Sequence, residues 1–230
     1  MKWRSLEESA QVESRTLREI YAERKELITK YVPPDIQTIH ARVVTELQQS
    51  GIAERALQPG SRAPEFELPD HNGKTARASE LVARGPLVVC FFRGRWCPFC
   101  VGQMEAMNAA YTDIQRLGAS LVGISPQTVH QSYLMADQHR LRFPLLSDNA
   151  NAVARQFGLV YPVPEYQREI YGRAFVNLPF VNGCSGWELP IPAVFILGRG
   201  PHSAVVYASA NPDYTDRPEP AEILEALSRT

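Results

Sequence analysis

An excess of charge of either sign is absent from this sequence of 230 residues. Its 24 lysines and arginines nearly balance its 25 aspartates and glutamates, which leaves a net charge of −1 at pH 7. Without a basic patch, the sequence lacks the electrostatic signature of nucleic-acid binding or of a polybasic membrane anchor. We therefore expect neither nucleic acid nor a membrane as a partner.

Long apolar runs are absent as well. The first thirty residues are rich in glutamate and contain no apolar stretch of signal-peptide length. No later stretch approaches the roughly 20 apolar residues that a membrane-spanning helix needs. These absences predict a cytoplasmic protein.

Cysteine is scarce, with four residues in the whole chain. This number is too small for a secreted scaffold held together by disulfides. Cys97 and Cys100 nevertheless form a Cys-x-x-Cys pair, which in a reducing compartment is usually catalytic or metal-binding. A zinc site would need a second such pair, and the five histidines show no metal-ligand spacing. We therefore expect no metal and no cofactor, and assign the chemistry to the two thiols.

Apolar periodicity divides the chain into two parts. Residues 5–31 and 35–50 show helical patterns, separated by two prolines, and predict a helical hairpin that occupies residues 1–56 as an extension. From residue 57 to 230, short apolar runs alternate with helical patterns, as in a sheet covered by helices on both faces. The predicted strands are 87–92, 120–124, 143–146, 193–197 and 204–207, and the predicted helices are 98–117, 128–140, 149–157 and 219–229. Residues 159–191 are rich in proline and predict an irregular lid or interface loop.

The cysteine pair stands where a buried strand meets a helix. The strand over residues 87–92 leads through Arg93-Gly94-Arg95 into Trp96-Cys97-Pro98-Phe99-Cys100, after which the helix begins. Cys97 is therefore expected at the helix N-cap, where free backbone N–H groups and the helix dipole stabilise a thiolate. A fall in the pKa of Cys97 from about 8.5 to about 7 would ionise about half of it at neutral pH. We expect Cys97 to be the nucleophile, with Arg93 and Arg95 either adding to this effect or standing as solvated loop residues.

Each of the remaining cysteines has its own prediction. In a helix, Cα atoms three residues apart lie about 5 Å from each other, which allows an intramolecular disulfide between Cys97 and Cys100. Cys90 lies within an apolar strand and is expected to be a buried residue without function. Cys184 is either an alternative resolving thiol or an incidental loop cysteine.

Several motifs carry a resemblance to a known family. Residues 93–100 match the pattern Arg-Gly-x-Trp-Cys-Pro-[Phe/Tyr]-Cys. The other matching stretches are 63–70, 73–74, 79–81, 143–148, 152–158, 187–193 and 213–220. Through them, residues 63–227 resemble the peroxiredoxin superfamily, in its AhpC/TSA peroxiredoxin-like branch. The resemblance implies an α/β thioredoxin fold with a mixed central sheet flanked by helices, peroxide reduction at Cys97, and a thioredoxin- or glutathione-type electron donor.

The resemblance also implies which residues surround the thiols. The residues expected to bind substrate are Arg95, Trp96, Pro98, Trp187, Ile191 and Pro192. Gly94 stands where peroxiredoxins place a threonine, and Pro192 stands where they place an arginine. Thioredoxins have a cis-proline at this second position, so we predict a cis bond between Ile191 and Pro192. Thioredoxins also keep a buried acid where this chain has Phe91, which leaves Cys100 without an evident proton acceptor.

Three functions fit these features. In a peroxidase, Cys97 attacks the O–O bond of hydrogen peroxide or an organic hydroperoxide, becomes a sulfenic acid and then forms a disulfide with Cys100. In a thiol-disulfide oxidoreductase, the same pair exchanges with disulfides of other proteins. In a redox-responsive interaction protein, the disulfide changes how the hairpin or residues 159–191 dock.

The hairpin also bears on oligomeric state. Its two amphipathic helices bury little by themselves, so their apolar faces must pack on something else. A second copy of the chain is one such surface, and we predict a homodimer that uses residues 1–50. The alternative is that the hairpin packs on its own domain.

Overall fold

The computed structural model describes residues 15–200 and 203–230 of the chain. The helices are α1 (Leu17–Tyr31), α2 (Pro34–Gln49), α3 (Ile52–Arg55), α4 (Ala78–Arg84), α5 (Pro98–Ala109), α6 (Tyr111–Arg116), α7 (Val129–Gln138), α8 (Ala152–Gln156), α9 (Glu165–Arg173), α10 (Leu178–Asn182) and α11 (Pro220–Leu227). The strands are β1 (Glu67–Pro69), β2 (Thr75–Arg77), β3 (Leu87–Phe91), β4 (Ser120–Ser125), β5 (Leu145–Ser147), β6 (Val160–Pro162), β7 (Glu188–Pro190), β8 (Ala193–Leu197) and β9 (Val205–Ala210). All five strands predicted from apolar runs are present.

A five-stranded mixed sheet forms the centre, in the order β5-β4-β3-β8-β9. Strands β3, β4 and β5 run parallel, whereas β8 is antiparallel to β3 and to β9. Along β3, Val89 and Phe91 pack in one core cluster, and Val88 and Cys90 pack in the other. Because helices cover both faces, every residue of β3 is buried, as expected for a parallel strand in a layered α/β fold. The predicted α/β class with a mixed sheet flanked by helices is confirmed.

The helix predicted over residues 98–117 is two helices, α5 and α6, which meet at Ala110. In a continuous helix, the carbonyl of Asn108 would accept the N–H of Thr112. Instead, that carbonyl accepts a hydrogen bond from the guanidinium of Arg142, and the Asn108 side chain accepts one from the backbone N–H of Arg142 at 2.8 Å. A long-range contact therefore competes for the backbone group that would have continued the helix.

Residues 159–191 are more regular than predicted. They contain α9, α10 and a two-stranded antiparallel sheet of β6 and β7. Their prolines stand at positions that regular structure tolerates: Pro164 is the N-cap of α9 and Pro179 lies in the first turn of α10. Composition predicted an irregular loop because it does not distinguish prolines at element ends from prolines within a loop.

The N-terminal hairpin packs on its own domain. A capping box between Thr16 and Glu19 starts α1, and the predicted helix start at residue 5 lies outside the described residues. The Glu219 carboxylate accepts hydrogen bonds from the backbone N–H groups of Leu17 at 3.0 Å and Arg18 at 2.7 Å. Val43 of α2 joins the core of the sheet domain. The apolar faces that argued for a dimer thus have partners within the chain, and the homodimer stays a prediction, as does the boundary between residues 1–56 and 57–230.

Within the two described ranges, no helix combines the length and the apolar character needed to cross a membrane.

Candidate redox site

Cys97 is the N-cap residue of α5, as predicted, and Pro98 occupies the first helical position. The backbone N–H of Cys97 donates to the carbonyl of Gly94 at 3.1 Å. The carbonyl of Cys97 accepts hydrogen bonds from the backbone N–H groups of Cys100 and Val101, both at 3.0 Å. The Cys97 side chain, however, accepts no capping hydrogen bond from the helix. The backbone N–H groups of the helix therefore do not stabilise a Cys97 thiolate by hydrogen bonds, contrary to our expectation.

The two sulfur atoms of Cys97 and Cys100 lie 2.8 Å apart and share one hydrogen bond. Both thiols are free and buried, Cys97 with 2% of its surface exposed and Cys100 with none. The first turn of α5 thus brings the two sulfurs into contact while its backbone stays helical.

Arg93, two residues after the end of β3, is buried beside the thiols and is not a solvated residue. Its guanidinium carbon lies 4.7 Å from the ring centre of Trp96 and 4.2 Å from that of Tyr214, and Nη2 donates to the Tyr171 hydroxyl at 2.9 Å. Its Nε and Nη1 atoms have no hydrogen-bond partner. Across residues 15–200 and 203–230, no carboxylate forms an ion pair with it. Arg93 is therefore a buried cation held by aromatic rings.

Arg217 is a second buried guanidinium at the site, and the sequence did not point to it. It lies between β9 and α11, has 5% of its surface exposed, and its Nη2 atom is 3.8 Å from the sulfur of Cys100. Its Nη1 atom donates to the carbonyl of Asp216 at 3.2 Å. Residues 213–220 already stood out as a matching motif, but only the fold shows that this segment reaches the thiol pair.

The two arginines act on the thiol pair as a unit. Burial on its own would raise the pKa of Cys100, but its hydrogen bond with Cys97 and the charges of Arg217 and Arg93 lower that pKa to about 5. Burial, reinforced by the hydrogen bond and charge of Cys100, raises the pKa of Cys97 well above its usual range. The pair thus loses its first proton easily and holds its second firmly. Our expectation of a lowered pKa for Cys97 alone was wrong, because burial and Cys100 raise this pKa by more than the charges of Arg93 and Arg217 lower it.

Three of the residues expected to bind substrate lie together on the surface. Arg95, Trp96 and Pro98 line a groove of about 920 Å³, which α1, α5 and α7 also border. The Nε–H group of Arg95 donates a hydrogen bond to the side-chain oxygen of Gln131 at 2.5 Å. Trp96 packs edge-on against Tyr171, with 5.2 Å between ring centres.

The other three lie away from this groove. Trp187 is covered by the guanidinium of Arg168, 5.4 Å from its ring centre. Ile191 and Pro192 are buried directly before β8. The fold thus separates the six residues into a surface group and an interior group.

The bond between Ile191 and Pro192 is trans, so the predicted cis bond is wrong. In the trans form, the Ile191 N–H donates to the Leu159 carbonyl at 2.8 Å, and the Pro192 carbonyl accepts from the Asn211 N–H at 3.1 Å. An X-Pro bond favours trans by about 0.5–1 kcal/mol, and nothing here outweighs that preference.

Steric crowding explains why position 94 has a glycine and not the threonine that peroxiredoxins place there. Its φ angle is +149°, a region that side chains of L-residues rarely adopt. A Cβ atom at this position would lie 2.6 Å from the indole nitrogen of Trp96. The Trp96 ring thus occupies the space that a threonine side chain would need.

The two remaining cysteines lie in different surroundings. Cys90 is fully buried in β3, as predicted, and burial raises its pKa to about 12. Its lack of function stays a prediction. Cys184 lies half-buried in the loop between α10 and β7. Its participation stays a prediction.

Known proteins share this architecture and part of this sequence. The family model described as "AhpC/TSA family" matches residues 59–201. A peroxiredoxin of Mycobacterium tuberculosis is 34% identical over 103 residues, which are 45% of this chain and 67% of that protein. The chloroplastic peroxiredoxin Q of Triticum aestivum is 33% identical over 110 residues, which are 48% of this chain and 50% of that protein.

Solved structures support the same fold. Peroxidoxin BcpB from Mycobacterium tuberculosis matches with a TM-score of 0.59 and 24% identity, over 75% of this chain and 97% of that one. Peroxiredoxin Q of Xanthomonas campestris matches with a TM-score of 0.56 and 20% identity, over 71% of this chain and 90% of that one. Since the family model spans more than half of the sequence, the chain belongs to the AhpC/TSA family and is a peroxiredoxin-like oxidoreductase with a thioredoxin fold.

Proposed function

We propose that the thiol-dependent peroxidase activity of this chain resides in the Cys97–Cys100 pair, with hydrogen peroxide or an organic hydroperoxide as the substrate. The observation that carries the proposal is the contact of two free thiols, 2.8 Å apart, beside two buried arginines. Peroxide reduction needs a thiolate, and these guanidinium groups favour one at neutral pH.

Cys97 is the attacking thiol in this proposal. The singly protonated pair can hold its proton on either sulfur, since one hydrogen bond joins them. Cys97 follows the surface residues Arg95 and Trp96, whereas Cys100 lies one helical turn deeper and has no exposed surface. Peroxide therefore reaches Cys97 first, even though the lower pKa belongs to Cys100.

The atoms of the reaction balance within the pair. The Cys97 thiolate attacks one peroxide oxygen, the O–O bond breaks, and Cys97 becomes a sulfenic acid while an alkoxide or hydroxide leaves. The thiol of Cys100 supplies the proton that turns this leaving group into an alcohol or water. The Cys100 thiolate then attacks the sulfenic sulfur, which forms the Cys97–Cys100 disulfide and releases hydroxide.

The partners follow from the same chemistry. A thioredoxin- or glutathione-type thiol would return two electrons to the disulfide. A dithiol of this kind persists in a reducing compartment, and for that reason we place the protein in the cytoplasm. The proposed homodimer is tested by light scattering of the reduced and oxidised protein at micromolar concentration, where a monomer in both states would contradict it.

The decisive experiment is oxidation by hydrogen peroxide in a stopped-flow instrument, compared among the wild type, Cys97→Ser and Cys100→Ser. We expect Cys97→Ser to be inert, and Cys100→Ser to react once and accumulate a sulfenic acid on Cys97. A sulfenic acid trapped on Cys100 of the wild type, or turnover by Cys97→Ser, would reverse the roles. Absence of any reaction of the wild type with peroxide would refute the function.

The thiol-disulfide oxidoreductase remains the second candidate because a Cys-x-x-Cys pair at a helix N-terminus suits disulfide exchange. Trp96 beside the pair also favours it, whereas the cis-proline expected at Pro192 is absent. An insulin-reduction assay distinguishes the two, since this candidate requires rapid reduction of insulin and slow reaction with peroxide.

A further inference from the structure

A cation lies beside Cys100, and no acid stands at the sequence position where thioredoxins keep one. The position of that acid is occupied by Phe91, whose ring packs 4.9 Å from that of Phe157 and 6.0 Å from that of Phe195. This environment supplies no proton acceptor. The group that does touch the sulfur of Cys100 is the guanidinium of Arg217, at 3.8 Å.

We propose that Arg217 is a catalytic residue in the reduction of the Cys97–Cys100 disulfide, where it stabilises the sulfur of Cys100 as the leaving thiolate. The inference deepens the proposed function, because the disulfide in question is the product of the proposed peroxide reaction. With a cation in this place, Cys100 can leave without receiving a proton, and no buried acid is required.

The electron balance of this step is simple. A thiolate of the reductant attacks the sulfur of Cys97, so that a mixed disulfide forms while the Cys97–Cys100 bond breaks. The bonding electron pair moves to Cys100, which becomes a thiolate next to Arg217. A second thiolate of the reductant then attacks its own sulfur in the mixed disulfide and releases Cys97, so that the reductant loses two electrons and the pair gains two.

The charges around Cys100 support this role. Among the described residues, the titratable or charged groups that interact electrostatically with its thiol are Cys97, Arg93, Arg217, Tyr21 and Tyr161. Burial raises the pKa of both tyrosines above their usual value, so they are neutral at physiological pH. In the described part of the chain, the charges that lower the pKa of the leaving sulfur are therefore those of Arg217 and Arg93.

The two arginines differ in what holds them. Arg93 is sandwiched between aromatic rings and bonded to Tyr171. Arg217 donates to the carbonyl of Asp216 and lies 3.8 Å from the sulfur of Cys100. Like Arg93, it forms no ion pair with any described residue, and its Nε atom has no hydrogen-bond partner. In the disulfide state neither sulfur is charged, so Arg217 has no anion beside it. Reduction places the Cys100 thiolate next to Arg217, and this ion pair, which exists only in the reduced state, favours reduction.

The test measures reduction of the disulfide by dithiothreitol, after the protein has been oxidised with diamide. Stopped-flow tryptophan fluorescence follows the reaction at pH 7, since Trp96 is adjacent to Cys97. We expect the rate constant to fall about tenfold or more in Arg217→Gln, because a poorer leaving thiolate slows exchange. Arg217→Lys keeps the charge and should retain most of the rate. Arg229→Gln, which removes an exposed arginine of the C-terminal end, should match the wild type.

A second readout separates catalysis from a merely structural role. Absorbance at 240 nm follows the thiolate of the reduced pair, and its titration should move to higher pH in Arg217→Gln. A variant that reduces at the wild-type rate with an unmoved titration would overturn the proposal, whatever its thermal stability.

A measurement on the wild type covers the case in which Arg217→Gln does not fold. After correction for the thiolate fraction of dithiothreitol, the reduction rate should stay constant between pH 6 and 8, because Cys100 leaves without a proton. A corrected rate that falls about tenfold per pH unit as pH rises would show that a proton is needed and would refute the role of Arg217. Because diamide forms the disulfide, a failure of the wild type to react with peroxide refutes the peroxidase and leaves this result standing.

Discussion

Tyr21 of α1 donates a hydrogen bond from its hydroxyl to the backbone carbonyl of Phe99, which lies between the two cysteines. The rings of the two residues also pack edge-on, with 5.0 Å between their centres. The N-terminal hairpin is thereby attached to the turn that carries the redox pair. Its first helix supports the site from outside the sheet domain.

Loss of this hydroxyl should weaken the attachment measurably. Tyr21→Phe keeps the ring contact but leaves the Phe99 carbonyl without that donor, and we expect the free energy of unfolding to fall by about 1–2 kcal/mol. Urea denaturation monitored by circular dichroism provides the measurement. Tyr133→Phe, at a position with 47% of the residue exposed, is the matched control and should change little. Equal stabilities of both variants would contradict the importance of the contact.

A side chain at position 94 should disturb the aromatic cover of Arg93. In Gly94→Ala, the Cβ atom would force Trp96 to move and would hold an unfavourable φ angle, so we expect a loss of about 1–3 kcal/mol. Peroxide oxidation should also slow down, because Trp96 contacts the arginine beside the thiols. Gly172→Ala in α9 is the control: a Cβ there meets no atom within 4 Å, and the substitution should be neutral or slightly stabilising. A Gly94→Ala protein with wild-type stability would refute the steric account.

The reduced protein should become more stable as pH rises from about 5 towards the ordinary thiol pKa. The lowered pKa of Cys100 means that the folded state is ionised in this window while the unfolded state still binds the proton. This stabilisation is complete above the unfolded pKa and is lost as pH falls through the folded pKa. At still higher pH the raised pKa of Cys97 acts in the opposite sense.

The oxidised protein is the control for this titration, because its disulfide cannot ionise. Burial and the charge of Arg93 lower the pKa of His40 to about 4. In both redox states His40 therefore adds its own increase in stability with pH, between this value and its unfolded pKa. Urea denaturation gives the free energy of unfolding of the reduced and the oxidised protein between pH 5 and 9. The difference between the two curves reports the contribution of the thiols alone. Parallel stability curves would mean that folding does not shift the pKa values of the pair.

Oxidation should produce an intramolecular disulfide and no covalent dimer. The sulfur of Cys100 is already 2.8 Å from that of Cys97, so it reacts before any thiol that must approach from elsewhere. Non-reducing gels of peroxide-treated wild type and Cys184→Ser should both show a monomer. A covalent dimer that disappears in Cys184→Ser would transfer the resolving role to Cys184.

The sequence by itself determined the features that depend on near neighbours. A continuous apolar run placed β3, and the proline after Cys97 placed the start of α5, because strand burial and helix initiation depend on residues within a few positions. The Cys-x-x-Cys spacing likewise brings the two sulfurs together through helix geometry alone.

Only the tertiary structure decided the electrostatics of the site. Arg217 lies 117 positions after Cys100 in the chain, and the path between β9 and α11 brings it to the thiol. The burial of Arg93, the trans bond at Pro192 and the position of Trp187 depend in the same way on how distant segments pack. Local patterns carry no information about such contacts, so the sequence identified the two thiols, whereas the fold determined the charges that favour a thiolate on the pair.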